Sequence, residues 1–207
     1  MQNLTRLDLF KFTLGDLKPK RAFFKLLGQL EHLTLGYCSQ SVASLLEAPN
    51  PDRLRHLSLN RVYLEDEELA SLVRRKPTLF SNLTHLTLLT AKQGISGHLR
   101  YNISHQILDL VVDNCAAQLR YFQFNFPTDR TYSREIPDLT PVLRKLARLS
   151  RLDHLNVDTH LYGLYAFHPL TDPIPVLPIR RLTVTISHFH SSYMLSNLQC
   201  LSQACPH

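Results

Sequence analysis

Residues 30–35 read Leu-Glu-His-Leu-Thr-Leu, and nearly the same six residues return as Leu-Arg-His-Leu-Ser-Leu at 54–59 and Leu-Thr-His-Leu-Thr-Leu at 83–88. The shared template is Leu-x-x-Leu-x-Leu, in which the residues marked x are mostly polar. Four further copies, some with Phe, Val or Ile in place of a leucine, begin at residues 4, 119, 152 and 179. Consecutive copies start 24 to 36 residues apart. Leucine supplies 41 of the 207 residues, but seven matches to one template indicate an internal repeat and not a general leucine bias.

Each copy predicts one short strand. The alternation in Leu-x-Leu places two apolar side chains on one side of an extended segment and the intervening residue on the other. A single strand of this kind cannot bury its apolar side, whereas copies stacked in parallel share a continuous core with the segments that connect them. We therefore predict a parallel sheet of about seven strands.

The connecting segments show the spacing of helices. In the third segment Leu69, Leu72 and Val73 lie at i, i+3 and i+4, which predicts one apolar helix face. Asp66 is the expected N-cap of this helix, and Pro77 is expected to stop it. Helices are predicted over residues 16–28, 66–76, 103–117 and 138–149, with a single turn over 41–46.

The repeat resembles the leucine-rich repeats of intracellular proteins, specifically the ribonuclease-inhibitor-like and cysteine-containing class found in F-box proteins. Cys38 follows the last strand leucine, Leu35, by three residues, as it does in that class, and Cys115 matches the cysteine that ends a helix there. Most of the spacings also fall in or near the window of about 20–29 residues typical of such repeats. The resemblance implies an α/β solenoid of horseshoe shape, with a parallel concave sheet and with helices and loops on the convex side.

We expect residues 1–207 to form a single segment of such a solenoid, without either terminal cap. Four prolines between residues 158 and 178 predict an irregular insertion over 158–178 instead of a helix.

The resemblance places the residues between the leucines on the concave surface, where they form three columns. Parallel strands lie about 4.8 Å apart, so His32, His56 and His85 are expected to stand in file. The first column contains Arg6, His32, His56, His85, Tyr121, His154 and Arg181. The second column contains Asp8, Thr34, Ser58, Thr87, Gln123, Asn156 and Thr183. The third column adds Asn60, Asn125 and Asp158 to this predicted partner-binding surface.

The histidine file has two interpretations. It is either an ordinary contact surface of stacked, hydrogen-bonding rings or an anion-binding patch, because adjacent charged imidazoles repel one another and an anion relieves this repulsion. The second interpretation predicts that an acidic partner binds more tightly below about pH 6.5.

Composition and charge narrow the class of protein. The net charge is +6, from 23 Lys and Arg against 17 Asp and Glu, which is below that of a dedicated nucleic-acid binder. Four scattered cysteines do not make a disulfide framework, and no run of about 18 apolar residues predicts a membrane helix. Arg6, Asp8, Lys11 and Asp16 interrupt the region where a signal peptide needs an apolar run. We expect a cytoplasmic or nuclear protein that does not act at a membrane.

Catalytic and cofactor motifs are missing from the sequence. It contains no glycine-rich phosphate loop, no His-Glu-x-x-His and no Gly-x-Ser-x-Gly. We therefore expect neither an enzyme nor a cofactor. A zinc site is the weaker alternative, and its candidate ligands are His188, His190, Cys200, Cys205 and His207.

The function predicted is a protein-interaction module that binds another protein on the concave face. The resemblance implies the substrate-recognition part of an F-box-type ubiquitin-ligase adaptor, which contacts the Skp-type linker and cullin only through an F-box outside this chain. Two alternatives remain open: a scaffold or regulator resembling a ribonuclease inhibitor or a GTPase regulator, and an RNA-binding solenoid.

Overall fold

A computed structural model describes residues 4–13, 21–93, 99–100, 103–115, 117–125, 140–159 and 176–186. The strands are β1 (Arg6–Phe10), β2 (His32–Gly36), β3 (His56–Tyr63), β4 (His85–Gln93), β5 (Leu99–Arg100), β6 (Tyr121–Asn125), β7 (His154–Thr159) and β8 (Arg181–Ile186). The helices are α1 (Arg21–Leu27), α2 (Ala43–Leu46), α3 (Asp66–Arg75), α4 (Pro77–Ser81), α5 (His105–Cys115) and α6 (Thr140–Leu146).

The seven repeat copies form one open, parallel sheet with the order β1-β2-β3-β4-β6-β7-β8. Every neighbouring pair along this path is parallel, and the described helices alternate with the strands. The predicted parallel sheet of seven strands is therefore confirmed. The short strand β5 was not predicted from the sequence. It pairs antiparallel with the end of β4.

Main-chain hydrogen bonds join the copies in the same way at every step. The carbonyl of the residue before one strand accepts bonds from two consecutive amides at the start of the next. Glu31, for example, accepts from Arg55 at 2.9 Å and from His56 at 3.0 Å. Spacings of 24 to 36 residues thus lead to equivalent strand pairings, because the extra residues lie in the connections. The six carbonyls that accept in this way belong to Thr5, Glu31, Arg55, Thr84, Arg120 and Asp153.

The core lies between the leucine side of the sheet and the helices. Leu83, Leu86 and Leu88 are fully buried in the same apolar cluster as Leu72 of α3 and Val111 of α5. Each of the six described helices contributes side chains to this cluster, so all six lie on the leucine side. The opposite side of the sheet carries none of these helices.

The helix boundaries differ from the predictions at several points. Glu65, and not Asp66, is the N-cap of α3, and its amide donates to Glu68 Oε2 at 3.1 Å. Pro77 does more than stop α3: it opens the short helix α4, because proline has no amide hydrogen to lose in a first helical turn. Helices α2, α5 and α6 lie within their predicted ranges, and Cys115 ends α5 as expected.

Two predictions fall partly outside the described residues. Helix α1 occupies the end of the predicted range 16–28, of which residues 16–20 are not described. The predicted insertion 158–178 begins too early, because residues 158 and 159 continue β7 in register with β8. Residues 176–178 precede β8 without regular structure, and 160–175 are not described.

The chain turns after β1 and β2, and within β3, at residues with positive φ. Lys11, Tyr37 and Arg61 have φ values of 51°, 55° and 54°, which non-glycine residues seldom adopt. They occupy the same place in three consecutive repeats, and β3 carries a register irregularity between Asn60 and Tyr63. This shared turn leaves the Tyr37 side chain 46% exposed.

Candidate functional site

We call the side of the sheet opposite the helices the polar face. The described pairings align its first column as Arg6, His32, His56, His85, Tyr121, His154 and Arg181. They align its second column as Asp8, Thr34, Ser58, Thr87, Gln123, Asn156 and Thr183. The predicted file of His32, His56 and His85 is confirmed.

Five side chains of the first column stack into what we call the ring ladder: His32, His56, His85, Tyr121 and His154. The His32 and His56 centroids lie 5.3 Å apart, and those of His56 and His85 lie 5.0 Å apart with ring planes only 10° from parallel. Tyr121 stacks on His85 at 5.8 Å and meets His154 edge-on at 4.9 Å. The strand spacing thus sets the ring spacing, and each inner ring contacts a ring on either side.

The Thr84 hydroxyl engages one nitrogen of His85. Thr84 Oγ1 lies 3.1 Å from the Arg55 carbonyl oxygen and 3.0 Å from His85 Nδ1. The Arg55 carbonyl already accepts two main-chain amides, so either acceptor can take the hydroxyl hydrogen. In both arrangements Nδ1 is engaged within the chain and Nε2 is left for other partners.

Hydrogen bonds also join the first and second columns. The Tyr121 hydroxyl donates to Gln123 Oε1 at 3.0 Å, and Thr87 reaches the same oxygen at 3.5 Å. His154 Nε2 lies 3.0 Å from Thr183 Oγ1 on the neighbouring strand. These bonds limit the motion of the side chains before any ligand arrives.

Three imidazoles of the ladder, those of His56, His85 and His154, resist protonation. The pKa of His56 is lowered to about 4, first by burial and then by repulsion from His85, His32 and Arg6, against which Asp8 acts weakly. Burial also lowers the pKa of His85, with smaller contributions from His32 and Arg120. The pKa of His154 is lowered by burial and by Arg181. In the free protein His56 therefore charges well below the expected value of pH 6.5, because stacking removes the rings from water.

An ion pair lies at the β1 edge of the polar face. Arg6 Nε donates to Asp8 Oδ2 at 2.9 Å. The pKa of Asp8 is lowered, first by a hydrogen bond from Thr34 and then by Arg6. The Asp8 carboxylate is therefore ionised and already paired with a side chain of the same protein.

Several predicted site residues do not offer an exposed side chain. Thr87 is only 7% exposed, because it lies in the central strand β4 with Gln123 against it. Asn125 is 2% exposed, and Leu89, which pairs with Asn60 in the third column, is buried as well, so a partner cannot reach the third column at the centre of the sheet. Asn60 is half-buried, and only the backbone of Asp158 is described.

Replacing Asn125 with leucine is expected to raise the free energy of unfolding by about 1 kcal/mol. The Asn125 Oδ1 atom is buried, with no hydrogen-bond partner in the described part of the chain. Leu89 is a buried residue of the third column, so this column can hold a leucine side chain. Urea unfolding measures the change, with Asn60→Leu as the half-buried control, for which we expect little effect. A clear loss of stability in Asn125→Leu would show that the amide has a stabilising partner.

Two exposed aromatic side chains lie at one corner of the sheet. Phe10 is 53% exposed and lies on Gly36, where an added Cβ would come within 2.4 Å of the Phe10 ring. The Arg61 guanidinium lies 5.5 Å from the centroid of the exposed Tyr37 ring. Sequence reasoning did not select Tyr37 or Arg61, because the positive-φ turn that presents them has no glycine to signal it.

Metal ligands, thiols and helix length are further features of the described residues. Within the described ranges no three His, Cys, Asp or Glu side chains are arranged to hold a metal ion, and the zinc candidates at 188–207 lie outside those ranges. Cys38 and Cys115 are buried free thiols, and burial raises the pKa of Cys115 to about 12. No helix in the described part of the chain has the length and apolar character that crossing a membrane requires.

Comparison with known protein families and with curated proteins found no match to this chain. The repeat, the strand register and the recurring hydrogen bonds are consistent with a solenoid.

Proposed function

We propose that this chain is a protein-interaction module that binds its partner on the polar face. The observation that carries the proposal is the ring ladder, which spans five adjacent parallel strands on the side without described helices. Rings held by stacking and by hydrogen bonds lose little conformational freedom on binding, which favours recognition. A partner would meet a rigid row of ring edges beside a row of small polar side chains.

The corner formed by Phe10, Tyr37 and Arg61 supports a protein as the partner. Aromatic and arginine side chains dominate the energetics of protein interfaces, usually where they can be covered completely by the partner. Phe10 and Tyr37 are large apolar side chains, and about half of each is exposed to solvent. We propose that they act as anchors at one end of the polar face.

A binding role is favoured over catalysis by the state of the imidazoles. His85 Nδ1 lies 3.0 Å from Thr84 Oγ1, so one nitrogen of this imidazole is engaged within the chain. One face of His56 stacks on His85, and the His32 ring meets the other side at a tilt of 37°. We propose a protein without enzymatic activity and without a cofactor, acting in the cytoplasm or nucleus.

The finer proposal is substrate recognition for an F-box-type ubiquitin ligase, and it is supported by the resemblance of residues 30–38 and Cys115 to that repeat class. It requires an F-box outside residues 1–207. Co-purification of the full reading frame with a Skp-type linker and a cullin supports this role, whereas their absence leaves a scaffold or regulator.

Site-specific photo-crosslinking tests which face the partner contacts. In one variant a photoreactive residue replaces Ser58 on the polar face. In the other it replaces Glu67, an exposed residue of helix α3 on the opposite side of the sheet. We expect a discrete protein adduct from position 58 and none from position 67, and we expect Tyr121→Ala to reduce the adduct about tenfold or more. Adducts from position 67 alone would contradict the proposal.

A further inference from the structure

We propose that the partner presents an acidic segment to the ring ladder, and that His56 and His85 take up protons when its carboxylates bind. The inference rests on the proposed function and specifies the chemistry of the partner.

The arrangement of the rings determines what they can offer. His56 lies between His32 and His85 at 5.3 and 5.0 Å, so both of its ring faces are directed at neighbours and its edge is left for a ligand. His85 lies in the same way between His56 and Tyr121. His85 Nδ1 lies 3.0 Å from Thr84 Oγ1, so Nε2 is the nitrogen left for a ligand. Both nitrogens of a protonated imidazole donate, so protonated rings present hydrogen-bond donors at about the spacing of the strands.

The charged groups around the ladder are mainly arginines. Arg6 comes from β1, Arg120 immediately precedes β6 and Arg181 begins β8, and all three have exposed side chains. Arg55, in the segment before β3, donates to the Leu54 and Asp52 carbonyls at 3.2 and 2.7 Å. Arg180 adds a further cation before β8.

The carboxylates beside the ladder are few, and two of them are paired. Asp8 is held by Arg6 at 2.9 Å, and Asp153 lies 4.0 Å from Arg180. Glu31 precedes β2 and is half-buried. The positive charge of a protonated ladder therefore exceeds what these side chains neutralise.

Protonation without an anion is unfavourable because the His56 and His85 imidazolium ions would stand about 5 Å apart in a half-buried row. A carboxylate from a partner offsets both the repulsion and the lost hydration. Binding of the carboxylates and uptake of protons must then promote each other, since the two equilibria are linked. An acidic segment would thus bind more tightly as the pH falls, until its own carboxylates are protonated.

The stacking also separates an acidic protein segment from single-stranded nucleic acid. Recognition of unpaired bases relies on exposed aromatic faces. The faces of His56 and His85 are covered by their neighbours, so a base could reach only their edges. The ladder favours small anionic groups that accept hydrogen bonds from ring edges.

Nuclear magnetic resonance titration of the full chain with ¹⁵N-labelled histidine tests the inference. The probe is a hexaglutamate peptide, and hexaglutamine and oligothymidylate are the comparison ligands. We expect hexaglutamate to raise the protonation midpoint of His56 by about two pH units or more. We also expect its affinity to increase at least about fivefold between pH 7.5 and 5.5.

Variants assign the effect to the ladder. His56→Gln and, separately, His85→Gln are expected to weaken the pH dependence while leaving the circular dichroism spectrum unchanged, and His105→Gln on α5 is the matched control. An unchanged His56 midpoint with hexaglutamate, or an equal shift with hexaglutamine, overturns the inference. Tighter binding of oligothymidylate than of hexaglutamate overturns it as well, in favour of nucleic acid. If these results occur while position 58 still gives a protein adduct, the acidic partner is wrong and the proposed function stands.

Discussion

Replacing Leu83 with alanine is expected to lower the free energy of unfolding by about 2–5 kcal/mol. Leu83 is the first leucine of its repeat and is fully buried, next to the central strand β4. Truncation removes apolar contacts and leaves a cavity between the sheet and the helices, which the surrounding side chains can fill only in part. Urea unfolding followed by circular dichroism measures the loss.

Leu4 provides the matched control, because it occupies the same position in the first repeat but is 45% exposed. Leu4→Ala is expected to cost less than about 1 kcal/mol, since little buried surface is lost. Equal losses for the two variants would contradict the account, because they would show that burial at this position does not depend on neighbouring repeats.

Acidification from pH 7 to pH 4.5 is expected to destabilise the fold through the ring ladder. Unfolding returns His56, His85 and His154 to water, where their pKa is near 6.5, above the lowered values in the folded chain. Below pH 6.5 the unfolded chain therefore binds more protons, and stability falls as the pH falls towards 4. A tenfold difference in proton affinity is worth about 1.4 kcal/mol. Because the rings are only partly buried, we expect a loss of about 1–2 kcal/mol and not the full value.

The variant His56→Gln identifies the source of this pH dependence. Glutamine does not titrate, so the loss of stability between pH 7 and pH 4.5 should become smaller, whereas His105→Gln should leave it unchanged. The pKa of Asp8 is lowered below its ordinary value, chiefly by a hydrogen bond from Thr34, so this carboxylate takes up its proton in more acidic solution than this pH range. Stability that stays constant or rises as the pH falls to 4.5 would contradict the lowered histidine pKa values.

The sheet was largely predictable because its determinants are local. Each copy contains both the apolar residues that enter the core and the polar residues between them. Equivalent copies must therefore pair in register, and Leu33 aligns with Leu57 as Leu57 aligns with Leu86. Replacement of leucines by Phe122 and Phe124 did not disturb this pattern, since both rings are buried and stack at 4.8 Å.

The missed features depend on turns and on short elements. Pro77 both ends one helix and begins another, and sequence reasoning considered only the first effect. The pairing of β5 with β4 involves two residues, too few for a recognisable periodicity. Tyr37 and Arg61 adopt positive φ without the glycine that usually marks such a turn.

The candidate site was predictable in position but not in chemistry. The column positions follow from the repeat, so His56 and His85 were expected to be neighbours. Their lowered pKa values depend on how deeply the stacked rings are buried, which no spacing reveals. The burial of Thr87 depends on Gln123, 36 residues later in the chain.

Cross-strand nuclear Overhauser effects between backbone protons can establish whether the repeat copies stack in parallel and in register. We expect amide-to-amide contacts that connect Thr34 with Ser58, Ser58 with Thr87, Thr87 with Gln123 and Gln123 with Asn156. Strong contacts between α-protons of neighbouring strands indicate antiparallel pairing, and together with a different strand order they would contradict both the fold and the polar face built on it.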